Sequence, residues 1–141
     1  MFVRDFIHVD RPFDSVAPRF VGNDLPLEDL VVSAMSDATA SLGPENESPS
    51  ADGLSCTRGA LRSRGEAIVV PLRCVSDNRP VGPSHLEGEL EVVPVGGRTE
   101  LGFEASYQRS SDDQKRLRQT RRVTELGVRS FLQSLGRVLE T

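Results

Sequence analysis

Tyr107, His85 and Arg73 are the side chains that best combine reactive chemistry with a place in a strand pattern. Tyr107 is the only tyrosine of the chain, and it follows Phe103 and Ala105 at intervals of two. This spacing predicts that Tyr107 lies on the buried face of a strand. Because a buried phenol usually has a hydrogen-bond partner, Tyr107 could orient a ligand or could simply complete an apolar core.

His85 and Arg73 are predicted to lie on the opposite, polar face. Imidazole titrates near neutral pH, which makes His85 the natural general-base candidate. However, strand alternation places His85 on the same face as the nearby glutamates and opposite to Leu86. The pattern therefore predicts that His85 points away from the core. Arg73 stands between Leu72 and Cys74 and is turned away from both in the same manner. We therefore assign no catalytic residue.

Motifs for covalent catalysis, phosphate binding and metal binding are absent from the sequence. It has no GxSxG elbow, and no Ser–His–acid set falls on one predicted face. Gly-rich phosphate loops are missing as well. Cys56 and Cys74 lie eighteen positions apart without a CxxC partner, so we expect small, buried or half-buried thiols. With His8 and His85 as the only histidines, the sequence predicts neither a metal site nor a cofactor.

Length and composition predict a single domain over residues 1–141. The chain is 37% hydrophobic with a formal charge of -4, which suits a compact core and excludes collagen-like and disulfide-scaffold proteins. Its apolar runs are far shorter than the roughly 20 residues of a membrane span. The first ten residues include charged side chains and lack the apolar run of a secretory signal. We therefore expect a cytoplasmic protein.

The elements that must position these residues begin with one strand and two helices. Period-two alternation favours a strand at the start of the chain, and Asp14 or Ser15 could cap a short helix after it. Apolar residues then recur at steps of three and four over 27–42 and indicate a second helix, which ends at Gly43-Pro44. Residues 43–56 are mostly Pro, Ser, Asn, Asp and Gly, so we expect a mobile loop there.

The middle of the chain predicts an antiparallel sheet. Alternation within two neighbouring stretches leaves one face apolar and the other polar, and Gly96-Gly97 between them is a tight hairpin signal. The strands are expected at 57–61, 66–75, 85–95 and 98–109.

The end of the chain predicts one long helix. Ser110 or Ser111 could cap it, and an apolar stripe continues from there to Leu139 over about 40 Å. Since such a helix cannot hide its apolar side alone, we expect it to lie along the dry face of the sheet. Its arginine-rich start, which includes Arg118, Arg121 and Arg122, is typical of a solvated face. In an acidic chain with few aromatic residues, it does not indicate specific nucleic-acid binding.

Four stretches of sequence resemble the START-like helix-grip superfamily, also called the SRPBCC or polyketide cyclase/dehydrase-like group. They are FIHVDRPFDSV, VPLRC, LEGELEVVPVGGRTELGFEASY and VRSFLQSLGRVLE, and they are similar to uncharacterised actinobacterial members. The resemblance implies an α+β fold. A curved antiparallel sheet would grip a long C-terminal helix, with two short helices after the first strand.

This resemblance also implies a cavity between the sheet and the last helix that binds a hydrophobic or amphipathic small molecule. A lipid, an acyl chain, a polyketide or an isoprenoid would each fit. Small residues at Gly88 and Ala105 would leave room for it, although the same residues could equally fill a core. The candidate lining residues are Val70, Leu72, Cys74, Leu86, Leu90, Phe103, Tyr107, Phe131 and Leu135.

Two alternative functions stay open at this point. One is a cyclase- or dehydrase-type enzyme of the same superfamily, which would need a titratable pair inside the cavity. The other is a protein-interaction or toxin-like module that contacts a partner through Arg118, Arg121 and Arg122. The sequence does not distinguish a monomer from a dimer.

Overall fold

The predicted order of elements is confirmed: one strand, two helices, a run of antiparallel strands and one long last helix. The computed structural model describes residues 1–22, 24–42, 54–76, 82–108 and 114–141. The strands are β1 (Phe2–Val9), β2 (Leu54–Arg58), β3 (Arg62–Arg64), β4 (Ala67–Ser76), β5 (His85–Val95) and β6 (Arg98–Gln108). The helices are α1 (Phe13–Val21), α2 (Leu27–Leu42) and α3 (Gln114–Glu140).

The strands form one antiparallel sheet of six strands in the described chain. Its order is β1-β6-β5-β4-β2, and β3 pairs with β4 as well. Gly96 and Gly97 make the turn between β5 and β6 with φ angles of +53° and +79°, a left-handed conformation that glycine adopts without strain. The sequence therefore predicts this hairpin correctly.

One face of the sheet is dry. Leu86 stands opposite Tyr107 across β5 and β6, and Leu90 stands opposite Phe103, and all four are buried. The residues between them, such as Glu87, are turned to solvent. The helices cover the dry face, so the predicted layer arrangement is confirmed.

α3 is held on three sides. It packs against α2, where a Cβ on Gly127 would overlap the Met35 side chain, so the two helices meet at glycine. It also packs along β1, where Arg129 donates to both oxygens of Asp5 at 2.8 Å. At its end, Arg19 donates to the carbonyl of Val138 at 2.9 Å, one of the last carbonyls of the helix, which also accepts from the Thr141 hydroxyl.

Three local predictions differ from the structure or lie outside it. β2 begins at Leu54, before the predicted 57–61, so the expected loop over 43–56 is too long at its end. The rest of that loop, and the cap at Ser110 or Ser111, lie outside the described residues. The predicted cap of α1 is wrong, because Pro12 stands at the N-cap without a side-chain hydrogen bond. Within the described chain, no helix has the length and apolarity that crossing a membrane requires.

Candidate functional site

The predicted lining residues lie together on the dry face and belong to one apolar cluster. They come from three strands and α3, and strand alternation accounts for their common face. None of them is more than 4% exposed, so the interior in which a ligand would lie is packed in this structure. They are Val70, Leu72, Cys74, Leu86, Leu90, Phe103, Tyr107, Phe131 and Leu135.

Phe131 brings α3 directly onto the sheet. Its ring meets the ring of Phe103 edge to face, with centroids 5.6 Å apart and an interplanar angle of 75°. This is a favourable geometry for two aromatic rings. The expectation that the last helix lies along the dry face of the sheet is confirmed.

Gly88 does not leave an open space beside the lining residues. A Cβ at this position would lie 2.6 Å from the carbonyl oxygen of Glu104 and 2.7 Å from the Cβ of Ala105. The close approach of β5 and β6 therefore occupies the volume that a side chain would take. Gly88 serves the packing of the two strands.

Ser76 is a buried polar residue on the dry face that the sequence analysis does not identify. It is 7% exposed, and its Oγ has no hydrogen-bond partner within the described chain. Its position, two residues after Cys74 on β4, places the hydroxyl on the dry face. The parity that identified Leu72 and Cys74 could have identified Ser76 as well.

Other buried polar groups lie where α3 begins. Thr120 and Thr124 are at most 2% exposed, and the Thr124 hydroxyl donates to the Thr120 carbonyl at 2.7 Å. Tyr107 lies near Arg121 at this end of α3. The buried polar side chains of the described chain thus all carry hydroxyl groups. They are Ser76, Thr99, Thr120 and Thr124, in addition to Tyr107.

The expectation that the cysteines are thiols is wrong. Cys56 and Cys74 form a disulfide between β2 and β4, where they stand directly opposite with Cα atoms 4.1 Å apart. The two cysteines are eighteen positions apart in the sequence, and only the register between the two strands brings them together. Sequence spacing alone therefore does not predict the bond. The bond fastens the edge strand β2 to the dry face. Disulfides are rare in reducing compartments, and the cytoplasmic location stays a prediction.

A second interaction that holds β2 in place, an ion pair, is also not predicted from the sequence. Arg58 donates to the Glu28 carboxylate through Nε at 2.6 Å and through a terminal nitrogen at 2.8 Å. It donates to the Leu25 carbonyl as well. The hydrogen bond from Arg58 lowers the pKa of Glu28, and the same bond raises the pKa of Arg58, against the opposing effect of burial in each case. This ion pair links β2 to α2.

His85 and Arg73 lie on the outer face, as the alternation predicts. Both are exposed, so neither side chain reaches the interior. The cyclase-type alternative needs a titratable pair in the cavity, and these two residues do not supply it. Among the described residues, no group of three or more His, Cys, Asp or Glu side chains is arranged to hold a metal ion.

The arginines at the start of α3 are exposed but not equivalent. Arg121 donates to Glu125 one turn later at 2.9 Å, and this hydrogen bond raises the pKa of Arg121. Arg118 and Arg122 have no ion-pair partner in the described part of the chain. The structure thus leaves two of the three predicted partner-contact residues available.

Comparison with solved structures identifies the fold. TTHA0849 from Thermus thermophilus aligns with a TM-score of 0.51 and 13% identity, covering 99% of this chain and 97% of that chain. Ara h 8.0201 aligns with a TM-score of 0.51 and 7% identity, at the same coverage. DynU16, described as a protein of the dynemicin biosynthetic locus, aligns with a TM-score of 0.50 and 16% identity. The alignment covers 99% of this chain and 47% of that chain.

These likenesses confirm the predicted fold, an antiparallel sheet that grips a long C-terminal helix. At such low identities they concern the fold. No family model and no curated protein sequence matches the chain.

Proposed function

We propose that the chain binds a small amphipathic molecule between the sheet and α3. Its apolar part would contact the lining residues named above, and its polar group would meet the Ser76 hydroxyl. Ligand sites of this kind are mostly apolar, with a few fixed polar groups that set orientation. The interior has this composition: a continuous apolar cluster that includes Tyr107, with the buried Ser76 hydroxyl on the same face of the sheet.

The observation that carries the proposal is the buried Ser76 Oγ without a partner in the described chain. An unsatisfied buried polar group costs about 1–3 kcal/mol, and such groups in folded proteins call for a specific explanation. A ligand that supplies the missing partner removes this cost on binding. The affinity of the site would then depend on a polar group in the ligand as well as on its apolar area.

Entry of the ligand requires the lining side chains to move apart, since they are packed in this structure. The edge strand β2 borders the interior on one side and carries Cys56, which is only half-buried. β2 is short, with five residues, and pairs along one side with β4 in the described chain. The disulfide to Cys74 and the ion pair with Glu28 hold this strand in place, so we expect the lining side chains to move rather than β2 itself.

A titration with dansyl-labelled undecanoic acid tests the proposal. We expect saturable binding of the probe, competed by unlabelled undecanoic acid. Replacing Ser76→Ala should weaken binding about threefold to tenfold, the value of one hydrogen bond of about 1 kcal/mol. Ser106→Ala is the matched control, because Ser106 is exposed on the outer face of β6, and it should leave the affinity unchanged.

Two results would overturn the proposal. One is the absence of saturable binding by a chain shown to be folded. The other is an equal affinity of the Ser76→Ala and Ser106→Ala variants, which would mean that the buried hydroxyl has no part in recognition.

A further inference from the structure

A groove separate from the interior lies on the surface between β1 and α3. It has a volume of about 740 Å³. β1 supplies its first residues, from Phe2 to Asp5, and α3 supplies a stretch from Arg121 to Arg129. None of the interior lining residues named above contributes to it.

The charges in this groove are unbalanced. Asp5 is paired with Arg129 at 2.8 Å, and Glu125 is paired with Arg121 at 2.9 Å. Both acids are therefore already neutralised by an arginine. Arg4 and Arg122 have no ion-pair partner in the part of the chain that the structure describes.

Arg4 also borders glutamates of the outer face, namely Glu89, Glu91, Glu100 and Glu104, and Glu104 is the one directly beside it in the sheet. The two residues stand opposite each other across β1 and β6, yet no ion pair forms between them among the described contacts. Arg118 lies one turn before Arg122 on α3 and adds a further positive charge outside the groove. The lining of the groove is thus positive, with four arginines against Asp5 and Glu125, although the whole chain carries a formal charge of -4.

Apolar surface accompanies the free guanidinium groups. Phe2 is 61% exposed and Leu126 is 37% exposed, and both line the groove. Guanidinium groups bind carboxylates and phosphates through directed, charge-assisted hydrogen bonds. Exposed apolar side chains beside them favour a ligand that also has an apolar part.

We propose that this groove binds an amphipathic anion. Its carboxylate or phosphate group contacts Arg4 and Arg122, and its apolar part lies on Phe2 and Leu126. The site is independent of the interior site, because the two share no residue and Ser76 is not part of the groove lining. Failure of one proposal leaves the other standing.

NMR titration of the ¹⁵N-labelled chain with octyl phosphate tests this site, with 1-octanol and inorganic phosphate as the two partial ligands. We expect the amide shifts to centre on Phe2, Arg4, Arg122 and Leu126. Octyl phosphate should bind at least about tenfold more tightly than either partial ligand, because both halves of the groove contribute. A parallel titration with octanoate then compares the carboxylate with the phosphate group.

Substitutions separate specific contacts from general attraction. Arg4→Gln and Arg122→Gln, singly and together, should weaken octyl phosphate binding, with a loss of about tenfold or more for the pair. Arg73→Gln is the matched control: Arg73 is exposed and without an ion-pair partner in the described chain, but it lies on β4. It should change the affinity by less than about twofold.

Three results would overturn the site. The first is equal affinity for octyl phosphate and 1-octanol, which would remove the role of the anion. The second is an equal loss with Arg73→Gln and with the Arg4 and Arg122 variants, which would indicate unspecific charge attraction. The third is a set of amide shifts confined to interior residues such as Leu90, with the groove unaffected.

Discussion

The rings of Phe103 and Phe131 meet edge to face across the layer boundary, with centroids 5.6 Å apart. This contact joins the centre of the sheet to the middle of α3. Both residues are at most 2% exposed. A substitution at this contact therefore reports on two quantities: the stability that core packing provides, and the change in ligand affinity when space is created.

Replacing Phe131→Ala should lower the free energy of unfolding by about 3–5 kcal/mol, the usual cost for a packed core phenylalanine. Urea denaturation measures this loss. The substitution also creates space beside the proposed ligand, so the affinity for dansyl-undecanoic acid should change in the same variant.

The matched control is Phe6→Ala, since Phe6 is 55% exposed on the outer face. It should cost less than about 1 kcal/mol and leave probe binding unchanged. A large loss of stability in Phe131→Ala with unaltered probe affinity would favour a filled core that takes no part in binding.

The Arg58–Glu28 ion pair should make stability depend on pH. Because Arg58 lowers the pKa of Glu28 below its ordinary value of 4.5, the folded chain binds fewer protons there than the unfolded chain. The stabilisation is present above pH 4.5 and is lost as the pH falls through the lowered pKa. Urea denaturation between about pH 7 and pH 3 measures it.

In the Glu28→Gln variant this part of the pH dependence should disappear, so stability should fall less steeply below pH 4.5 than in the original chain. Asp29→Asn is the control at an exposed neighbour, and it should keep the original slope. Identical slopes for the original chain and Glu28→Gln would contradict the role of this pair.

The disulfide between Cys56 and Cys74 should be detectable by thiol titration. The chain unfolded in guanidinium without reductant should show no reactive thiol, because the described chain has no free cysteine. Reduction should lower the free energy of unfolding by about 3 kcal/mol, the usual value for a closed loop of this size. Two reactive thiols in the unreduced chain would show that the bond does not form.

Gly88 gives a prediction about strand packing. Gly88→Ala should destabilise the chain by about 1–3 kcal/mol, because the new Cβ would overlap the Glu104 carbonyl and Ala105. Gly102→Ala is the matched control in the next strand, where the nearest heavy atom to a new Cβ is 3.9 Å away. Thermal unfolding compares the melting temperatures of the two variants, and we expect the lower value for Gly88→Ala. Equal melting temperatures would argue against the close approach of the strands at Gly88.

The sequence predicts the layers of this fold well because its local patterns agree with one another. Alternation around Leu90 and Phe103 identifies the dry face, and the stripe through Phe131 identifies the side of α3 that covers it. The START-like resemblance rests on the same stretches of sequence, so pattern and resemblance predict the same architecture.

What the sequence does not predict depends on partners that are distant along the chain. The Cys56–Cys74 bond follows from the register between β2 and β4, and the Arg58–Glu28 pair follows from the packing of α2 beside β2. No local pattern encodes either contact. Ser76 is different, because strand alternation after Cys74 already predicts that it faces the interior. Only the structure shows that its hydroxyl has no hydrogen-bond partner in the described chain.

The most direct test of the central claim is an NMR measurement of where a bound acyl chain lies. We would record nuclear Overhauser effects between the ¹³C-methyl-labelled chain and unlabelled undecanoic acid. If the interior is the ligand site, the acyl protons will show contacts to the methyl groups of Leu90 and Leu135, which are fully buried. Contacts confined to exposed residues such as Leu126, with none to Leu90 or Leu135, would contradict a site between the sheet and α3.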